Sequence, residues 1–180
     1  SERLDMALDM FAAVFMHPEL DNWPGLGLAV QAYQKRAVHV IRWLAQLTKS
    51  RQRRIPVRLV KGAYWDSEIK RAQESGLDGY PVFTRKSATD ISYLACARLL
   101  ISAPDYFFPQ FATHNAHTVA AIMQMAQEHP GYEFQRLHGM GDTLYQAIRS
   151  HVDASIPCRI YAPVGGHQEL LPYLVRRLLE

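Results

Sequence analysis

Arg58 is a charged residue inside the apolar run 57–60, which is typical of a buried strand. Burying a guanidinium is costly unless an anion or a strong acceptor faces it, so the pattern predicts that Arg58 points at a ligand. Gly62 and Ala63 follow the run and would let that ligand approach the backbone closely. The alternative is a strand-end arginine that reaches water.

A second charged group lies near the end of the chain. Tyr173, Arg176, Arg177 and Glu180 are spaced at i, i+3, i+4 and i+7, so they share one face of a predicted helix. Two adjacent guanidiniums offer planar forks of donors that bind a carboxylate or a phosphate. Glu180 lies four residues after Arg176 and can hold it in place. An ordinary solvated helix face is the equally open alternative.

Three histidines allow a metal interpretation. His114 and His117 lie three residues apart and His138 follows a later strand, as in a metal-dependent barrel hydrolase. No carboxylate stands nearby at metal-ligand spacing, and a histidine pair alone is a weak signal. The segment also opens a helix, where backbone N–H groups and a histidine can bind a phosphate. The phosphate interpretation is favoured, and no metal is predicted.

Four further polar residues have two interpretations each. Tyr161 ends a strand, either as an apolar pocket wall with a polar tip or as a core tyrosine. Thr84 and Lys86 follow Pro81 in a loop and face either a phosphate or water. Gln31 ends a strand, where its amide either contacts a ligand as donor and acceptor or caps the strand at the surface.

Composition narrows the class of protein. The chain has 180 residues, 48% of them hydrophobic, and a net charge of +3, which suits one domain and gives no reason to expect nucleic acid. The basic patch 51–54 is expected to be a solvated loop. Two isolated cysteines and the absence of a signal peptide or membrane-spanning run favour a reduced, cytoplasmic protein. Peripheral contact with the inner membrane stays open.

The elements that must position these residues alternate between strand and helix, which predicts a parallel sheet with crossover helices. Strands are predicted at 25–31, 57–61, 106–113, 132–137 and 159–162. Helices are predicted at 4–15, 32–47, 87–101, 115–127 with Asn115 as N-cap, and 143–151. A last helix is predicted to run to Glu180, and Pro172 is tolerated in it if it lies in the first turn.

Each predicted strand ends in polar residues, which favours a (β/α)8 barrel with its site at the carboxyl ends of the strands. An open doubly wound sheet is the alternative, although a glycine-rich phosphate loop after the first strand is missing. A barrel needs eight strands. Residues 1–180 are therefore predicted to be the C-terminal part of such an α/β barrel domain, carrying roughly strands four to eight.

Seven blocks of the sequence resemble the proline dehydrogenase domain of bacterial proline utilization A, a bifunctional flavoenzyme. They occur in order and at the family's spacing over nearly the whole chain. The blocks are QAYQKR (31–36), RLVKGAYW (58–65), YPVFTRK (80–86), FATHNAH (111–117), LHGMG (137–141), CRIYAPVG (158–165) and YLVRRLLE (173–180).

The resemblance implies a substrate site for L-proline. It assigns Arg176 and Arg177 to the proline carboxylate and Tyr161 to the face of the ring. The further pocket walls that it implies are Tyr173, Tyr64, Ala63 and Leu137.

The resemblance also implies FAD as the cofactor. Arg58 would lie near flavin N5, Gln31 at the pyrimidine edge, and Glu180 near the arginines and the ribityl chain. Thr113, His114 and Asn115 would contact the flavin, with His114 near the pyrophosphate. Thr84 and Lys86 would bind the adenosine phosphate, and Trp65 would stack on adenine. The remaining cofactor contacts that it implies are Val60, Gly62 and Gln135.

The family's reaction oxidises L-proline to Δ1-pyrroline-5-carboxylate by hydride transfer to flavin N5, and a quinone then accepts the electrons. This is the first step of proline catabolism to glutamate. Bacterial members often carry an aldehyde dehydrogenase domain further along the chain. A lysine and an aspartate that the family places on earlier strands have no counterpart here. A non-catalytic module that binds a phosphate ligand is a third class that uses the same arginines and loops.

Overall fold

The computed structural model describes residues 3–127, 131–153 and 155–179, without the side chains of Glu169, Pro172 and residues 176–179. Its strands are β1 (Leu28–Gln31), β2 (Ile55–Val60), β3 (Phe107–Ala112), β4 (Glu133–Leu137) and β5 (Cys158–Tyr161). Its helices are α1 (Leu4–Phe15), α2 (Ala37–Lys49), α3 (Trp65–Glu74), α4 (Lys86–Ile101), α5 (Ala116–Met125), α6 (Asp142–His151) and α7 (His167–Leu179), with a short 3-10 turn at Pro18–Leu20.

The five described strands form one parallel sheet in the order β1-β2-β3-β4-β5. Each crossover moves one strand further in the same direction, and right-handed crossovers of this kind place their helices on a single face. The reversal of strand order that defines a doubly wound sheet does not occur among these strands. The predicted α/β parallel architecture is confirmed, while the count of eight strands stays a prediction.

The helix-facing side of the sheet holds the hydrophobic core. Along β2, Ile55, Val57 and Leu59 are buried, while Arg58 and Val60 lie half-buried on the opposite face. This alternation follows from the period of two of a strand. The core is rich in aromatic side chains, among them Phe15, Tyr93, Phe107, Phe111 and Phe134. The core side of the sheet is therefore filled, and Arg58 lies on the other face.

The face of the sheet opposite the core is concave. Arg58 on β2 and Tyr161 on β5 are three strands apart, yet the guanidinium carbon lies 4.4 Å from the centre of the tyrosine ring. A flat sheet would separate those strands by roughly 14 Å. The sheet therefore curls towards this face, as the wall of a barrel does.

The helices of the structure differ from the predicted ones at three places. The helix predicted at 32–47 begins at Ala37, because the N–H groups of Ala32 and Tyr33 continue the pairing with β2. Helix α3 was not predicted, because its apolar residues are few: Trp65, Ile69 and Ala72 are spaced at i, i+4 and i+7, but only Ala72 is buried. Pro172 is the sixth residue of α7 and lies beyond the first turn, since the helix begins at His167.

The basic patch 51–54 is less solvated than predicted. Arg53 donates through Nη2 to the carbonyl of Phe15 at 2.9 Å, and its guanidinium lies 4.1 Å from the Phe15 ring. Arg51 donates to the carbonyl of Met16. These contacts hold the end of α1 against the loop that precedes β2, so the arginines have local structural partners.

Candidate functional site

A cavity of about 550 Å³ opens at the carboxyl ends of the strands, where the sequence placed the site. Twelve of the predicted site residues line it: Gln31, Arg58, Val60, Gly62, Ala63, Tyr64, Lys86, Thr113, His114, Asn115, Tyr161 and Tyr173. Ala29, Lys61, Ala112 and Met140 also line it and were missed. The strand period of two was a signal for Ala29, which lies two residues before Gln31 on the same face.

Arg58 lies in this cavity with a donor that has no partner. Its Nε is buried and finds no hydrogen-bond acceptor among the described residues. Its guanidinium stacks on the Tyr161 ring at 4.4 Å, a favourable cation–π distance. A buried donor left without an acceptor costs about 1–3 kcal/mol. This arrangement fits a ligand that presents acceptor atoms, as the ring edge of an oxidised flavin does.

Position 62 requires a glycine for two reasons, its backbone conformation and the close approach of a neighbouring aromatic ring. Its φ is +132°, and an added Cβ would lie 2.5 Å from Cγ of Tyr33. A side chain here is excluded on both grounds. Gly62 lines the cavity as predicted, but the packing against Tyr33 supplies a reason that the sequence did not show.

His114 supports the sheet. Its Nε2 accepts the N–H of Leu137 at 3.0 Å. β3 ends at Ala112, so the imidazole takes the place of a strand acceptor for β4. Burial and then the charge of Arg136 lower the pKa of His114, which favours the neutral ring with its proton on Nδ1. That N–H is left as the donor for a phosphate or another acceptor.

The metal interpretation is not supported by the described part of the chain. Among residues 3–127, 131–153 and 155–179 no group of three His, Cys, Asp or Glu side chains is arranged to hold a metal ion. His114 uses its Nε2 for the Leu137 amide. His117 is exposed at the start of α5.

Asn115 is the N-cap of α5, as predicted. Its Oδ1 accepts the backbone N–H of Thr118 at 2.9 Å. The hydroxyl of Thr113 accepts the N–H of Asn115 at 3.2 Å. These bonds fix the turn between β3 and α5, so both residues line the cavity on a defined backbone.

Two lysines at the cavity share one carboxylate. Lys61 Nζ lies 2.5 Å from Oδ1 of Asp90, and Lys86 Nζ lies 2.8 Å from Oδ2. Burial raises the pKa of Asp90, but hydrogen bonds from Lys61 and Lys86 outweigh it and hold the pKa below its usual value. Asp90 was missed, although its i+4 spacing from Lys86 was a visible signal.

Of the residues predicted on the adenosine side, Lys86 lines the cavity, whereas Trp65 and Thr84 do not. Trp65 donates through Nε1 to the carbonyl of Phe83 at 2.8 Å. This bond brings the half-exposed indole to the loop that carries Thr84, and Lys86 follows at the start of α4. The structure thus gathers Trp65, Thr84 and Lys86 on one side of the cavity.

A buried carboxylate lies on the concave face, towards the amino end of β4. Glu133 Oε1 accepts from Gln135 Nε2 at 2.7 Å, from Gln110 Nε2 at 2.8 Å and from Arg159 Nε at 2.9 Å. Burial raises the pKa of Glu133, but hydrogen bonds from Arg159 and Gln135 among others bring it below its usual value. Gln135 and Leu137 are buried beside the cavity and do not line it.

The predicted carboxylate clamp falls on the last helix. Tyr173 lines the cavity from α7. Arg176 and Arg177 continue the same helix, but their side chains lie outside the described residues, as does the whole of Glu180. Their assigned roles stay predictions.

Comparison with known proteins gives consistent matches over the whole chain. The family model described as proline dehydrogenase matches residues 1–180. The bifunctional protein PutA of Escherichia coli (strain K12) is 58% identical over 100% of this chain and 14% of its own length. PutA of Rhizobium meliloti is 52% identical over 100% of this chain and 15% of its own length. The chain thus spans about one-seventh of these curated relatives.

Solved structures of proline utilization A also match this chain over nearly its whole length. A structure of proline utilization A with proline bound in remote sites superposes with a TM-score of 0.92 at 58% identity, covering 99% of this chain and 18% of that one. Proline utilization A from Bdellovibrio bacteriovorus superposes with a TM-score of 0.90 at 36% identity, covering 99% of this chain and 19% of that one.

Proposed function

The chain belongs to the proline dehydrogenase family, and on this premise we propose that it is the flavin-binding part of an FAD-dependent dehydrogenase that oxidises L-proline to Δ1-pyrroline-5-carboxylate. The observation that carries the proposal is the buried Nε of Arg58, which lacks an acceptor and lies beside a cavity at the carboxyl ends of the strands. A flavin ring edge supplies such an acceptor. When bound, FAD would supply the hydride acceptor for the oxidation of proline.

Arg58 has two roles in this proposal. Its guanidinium holds the flavin by a hydrogen bond, and its charge stabilises the negative charge of the reduced ring. The Tyr161 ring, 4.4 Å away, keeps that guanidinium in the cavity. Arg58 therefore both orients the cofactor and favours hydride acceptance.

The substrate is held by a mixed set of groups. Tyr161, Tyr64 and Ala63 line the cavity and supply apolar walls of the size that a small ring needs. Arg176 and Arg177 bind the carboxylate of proline through their guanidinium forks. The apolar walls and the two arginines together orient proline C5 for hydride transfer, and no protein nucleophile is needed.

The adenosine side of FAD is assigned to the residues around the start of α4. Lys86 lies at the first residue of that helix, where backbone N–H groups favour a phosphate. Trp65 is anchored to the adjacent loop by its bond to Phe83, in a position to stack on adenine. His114 offers Nδ1–H to the pyrophosphate, and Asn115 and Thr113 adjoin it.

The partners are proposals as well. A quinone would reoxidise the flavin, and an aldehyde dehydrogenase domain elsewhere in the natural protein would consume the product. The relatives described as bifunctional, of which this chain covers 14–15%, are consistent with such an arrangement. No helix in the described part of the chain has the length and apolar character to cross a bilayer. A cytoplasmic protein with peripheral contact at the inner membrane is proposed.

The proposal is tested with the natural, longer protein by visible spectroscopy before and after anaerobic addition of L-proline. We expect a flavin band that bleaches with proline and does not bleach with the same concentration of L-valine, which shares the carboxylate and lacks the ring. A band that proline leaves unchanged would redirect the substrate assignment to other amines. Folded protein without flavin would reject the proposal.

A further inference from the structure

Glu133 is the one charged residue that is buried within the described residues. It lies on the concave face of β4, and its carboxylate receives four hydrogen bonds. Arg159 binds both oxygens at 2.9 Å, and Gln110 and Gln135 donate to Oε1 at 2.8 and 2.7 Å. A buried carboxylate with this many donors is ionised and held in one geometry.

An ionised carboxylate accepts hydrogen bonds and cannot donate them. The side chain of Gln135 must therefore turn its NH2 group to Glu133. Its carbonyl oxygen is then directed away from Glu133. Since Glu133 lies two residues nearer the amino end of β4, the NH2 group of Gln135 is turned towards that end and away from the mouth of the cavity.

Gln135 is positioned beside the cavity by strand register. It pairs with Ala112 on β3, and Ala112 lines the cavity. Paired residues of neighbouring strands lie on the same face of a sheet. The fixed carbonyl of Gln135 is thus an acceptor presented next to the floor of the cavity, opposite in character to the donor that Arg58 presents.

The ring of oxidised flavin carries one N–H group, at N3, and its other polar ring atoms are acceptors. We propose that Glu133 is a positioning residue that holds the Gln135 carbonyl towards the flavin ring, where it accepts the N3–H. Arg58 then meets the acceptor side of the ring and Gln135 the donor side. This inference rests on the proposed function, because it requires a flavin in the cavity.

The test compares the affinity of the natural protein, freed of cofactor, for FAD and for 3-methyl-FAD, which lacks the N3–H. One lost hydrogen bond corresponds to about a tenfold weaker affinity. We expect 3-methyl-FAD to bind the wild type about tenfold more weakly than FAD. The ratio should fall towards one in Gln135→Met, which removes the acceptor, and in Glu133→Gln, whose amide no longer imposes one orientation on Gln135.

Gln110→Met is the matched control. Gln110 donates to the same oxygen of Glu133 at 2.8 Å, but it pairs with Glu133, one step further from the cavity than the pair of Gln135 and Ala112, so its loss should leave the wild-type ratio intact. A Glu133→Gln variant that binds FAD and keeps the wild-type ratio would overturn the positioning role. Should that variant not fold, Glu133→Asp withdraws the carboxylate by one methylene, and an unchanged ratio there would overturn the role as well.

Measurements on the wild type alone distinguish a failure of the proposed function from a failure of the inference about Glu133 and Gln135. Absence of FAD binding would reject the proposed function. Equal affinity for FAD and 3-methyl-FAD would leave that function standing and reject the inference about Glu133 and Gln135.

Discussion

At the scale of single residues, the sequence showed that Arg58 lies in apolar surroundings, but it did not show which residue Arg58 contacts. Arg58 was recognised because a guanidinium in an apolar run requires a partner. Its stacking on Tyr161 joins residues 103 positions apart and leaves no trace in local sequence. Glu133 went unnoticed for the same reason, because Gln110 and Arg159, which donate to it, lie 23 and 26 residues away in the sequence.

Replacing Arg58 tests its place at the flavin. Arg58→Met removes the donor and the charge, and hydrogen bonds to charged groups contribute about 1.5–3 kcal/mol. We expect a flavin that is roughly tenfold to hundredfold harder to reduce, measured as a more negative midpoint potential without substrate. Arg58→Lys keeps the charge and should recover part of the difference. An unchanged potential in both variants would contradict the assignment.

Replacing Arg176 tests the carboxylate clamp. Arg176→Ala removes a charge-assisted hydrogen bond, so we expect the KM for proline to rise roughly tenfold to hundredfold in steady-state assays. Arg149→Ala is the control, since Arg149 is an exposed arginine of α6 outside the cavity. Proline turnover with a normal KM in Arg176→Ala would remove the carboxylate role.

At the scale of elements, the turns between strands and helices are held by side chains of the site itself. Asn115 ends the turn after β3 and caps α5, and His114 supplies the acceptor that β4 lacks once β3 has ended. The cap was predicted because asparagine at the start of a helix has a local mechanism. The His114 bond was not, since its partner Leu137 lies 23 residues away.

Removing the cap should weaken α5. Asn115→Ala is expected to lower the free energy of unfolding by about 1 kcal/mol, because the Thr118 N–H loses its acceptor. Asn115→Asp keeps an acceptor oxygen and should restore most of the loss. The temperature of flavin release on heating reports the difference, and equal values for wild type and Asn115→Ala would show that the cap contributes nothing.

The His114 bond predicts a pH dependence with a defined sign. Since the folded pKa of His114 is lowered below the ordinary value of about 6.5, its contribution to stability is present above that value. It is lost as the pH falls through 6.5 towards the folded pKa, because the protonated ring cannot accept the Leu137 N–H.

We therefore expect the flavin-release temperature of the wild type to fall between pH 7.5 and 5.5. His114→Gln, which keeps an acceptor without titrating in this range, should fall less. His117→Gln is the matched control, since His117 is exposed, and it should behave as the wild type does. A slope that His114→Gln leaves unchanged would assign the pH dependence to other groups.

At the scale of the whole molecule, one face of the sheet is covered by helices over a hydrophobic core, and the concave face carries the cavity. Five parallel strands in sequential order bury an aromatic core under their helices, and the concave face carries the polar groups. β1 and β5 are the edges of the described sheet, and such edges offer unpaired backbone groups to other chains. The relatives are about seven times longer than this chain.

We therefore expect residues 1–180 expressed alone to self-associate in size-exclusion chromatography and to bind FAD poorly. The same residues within the natural protein should elute as a defined species and bind FAD. Monomeric behaviour and full FAD affinity of residues 1–180 alone would show that the concave face needs no further cover.

The sequence by itself determined the alternation of strands and helices, the polar strand ends and the sequence blocks that identify the family. These properties are local, because periodicity, capping and turn chemistry act within a few residues. Only the tertiary structure decided that Arg58 stacks on Tyr161, that Asp90 binds Lys61, and that Glu133 accepts from Gln110 and Arg159. Those pairs depend on strand register and sheet curvature, which bring distant residues together and which no local pattern encodes.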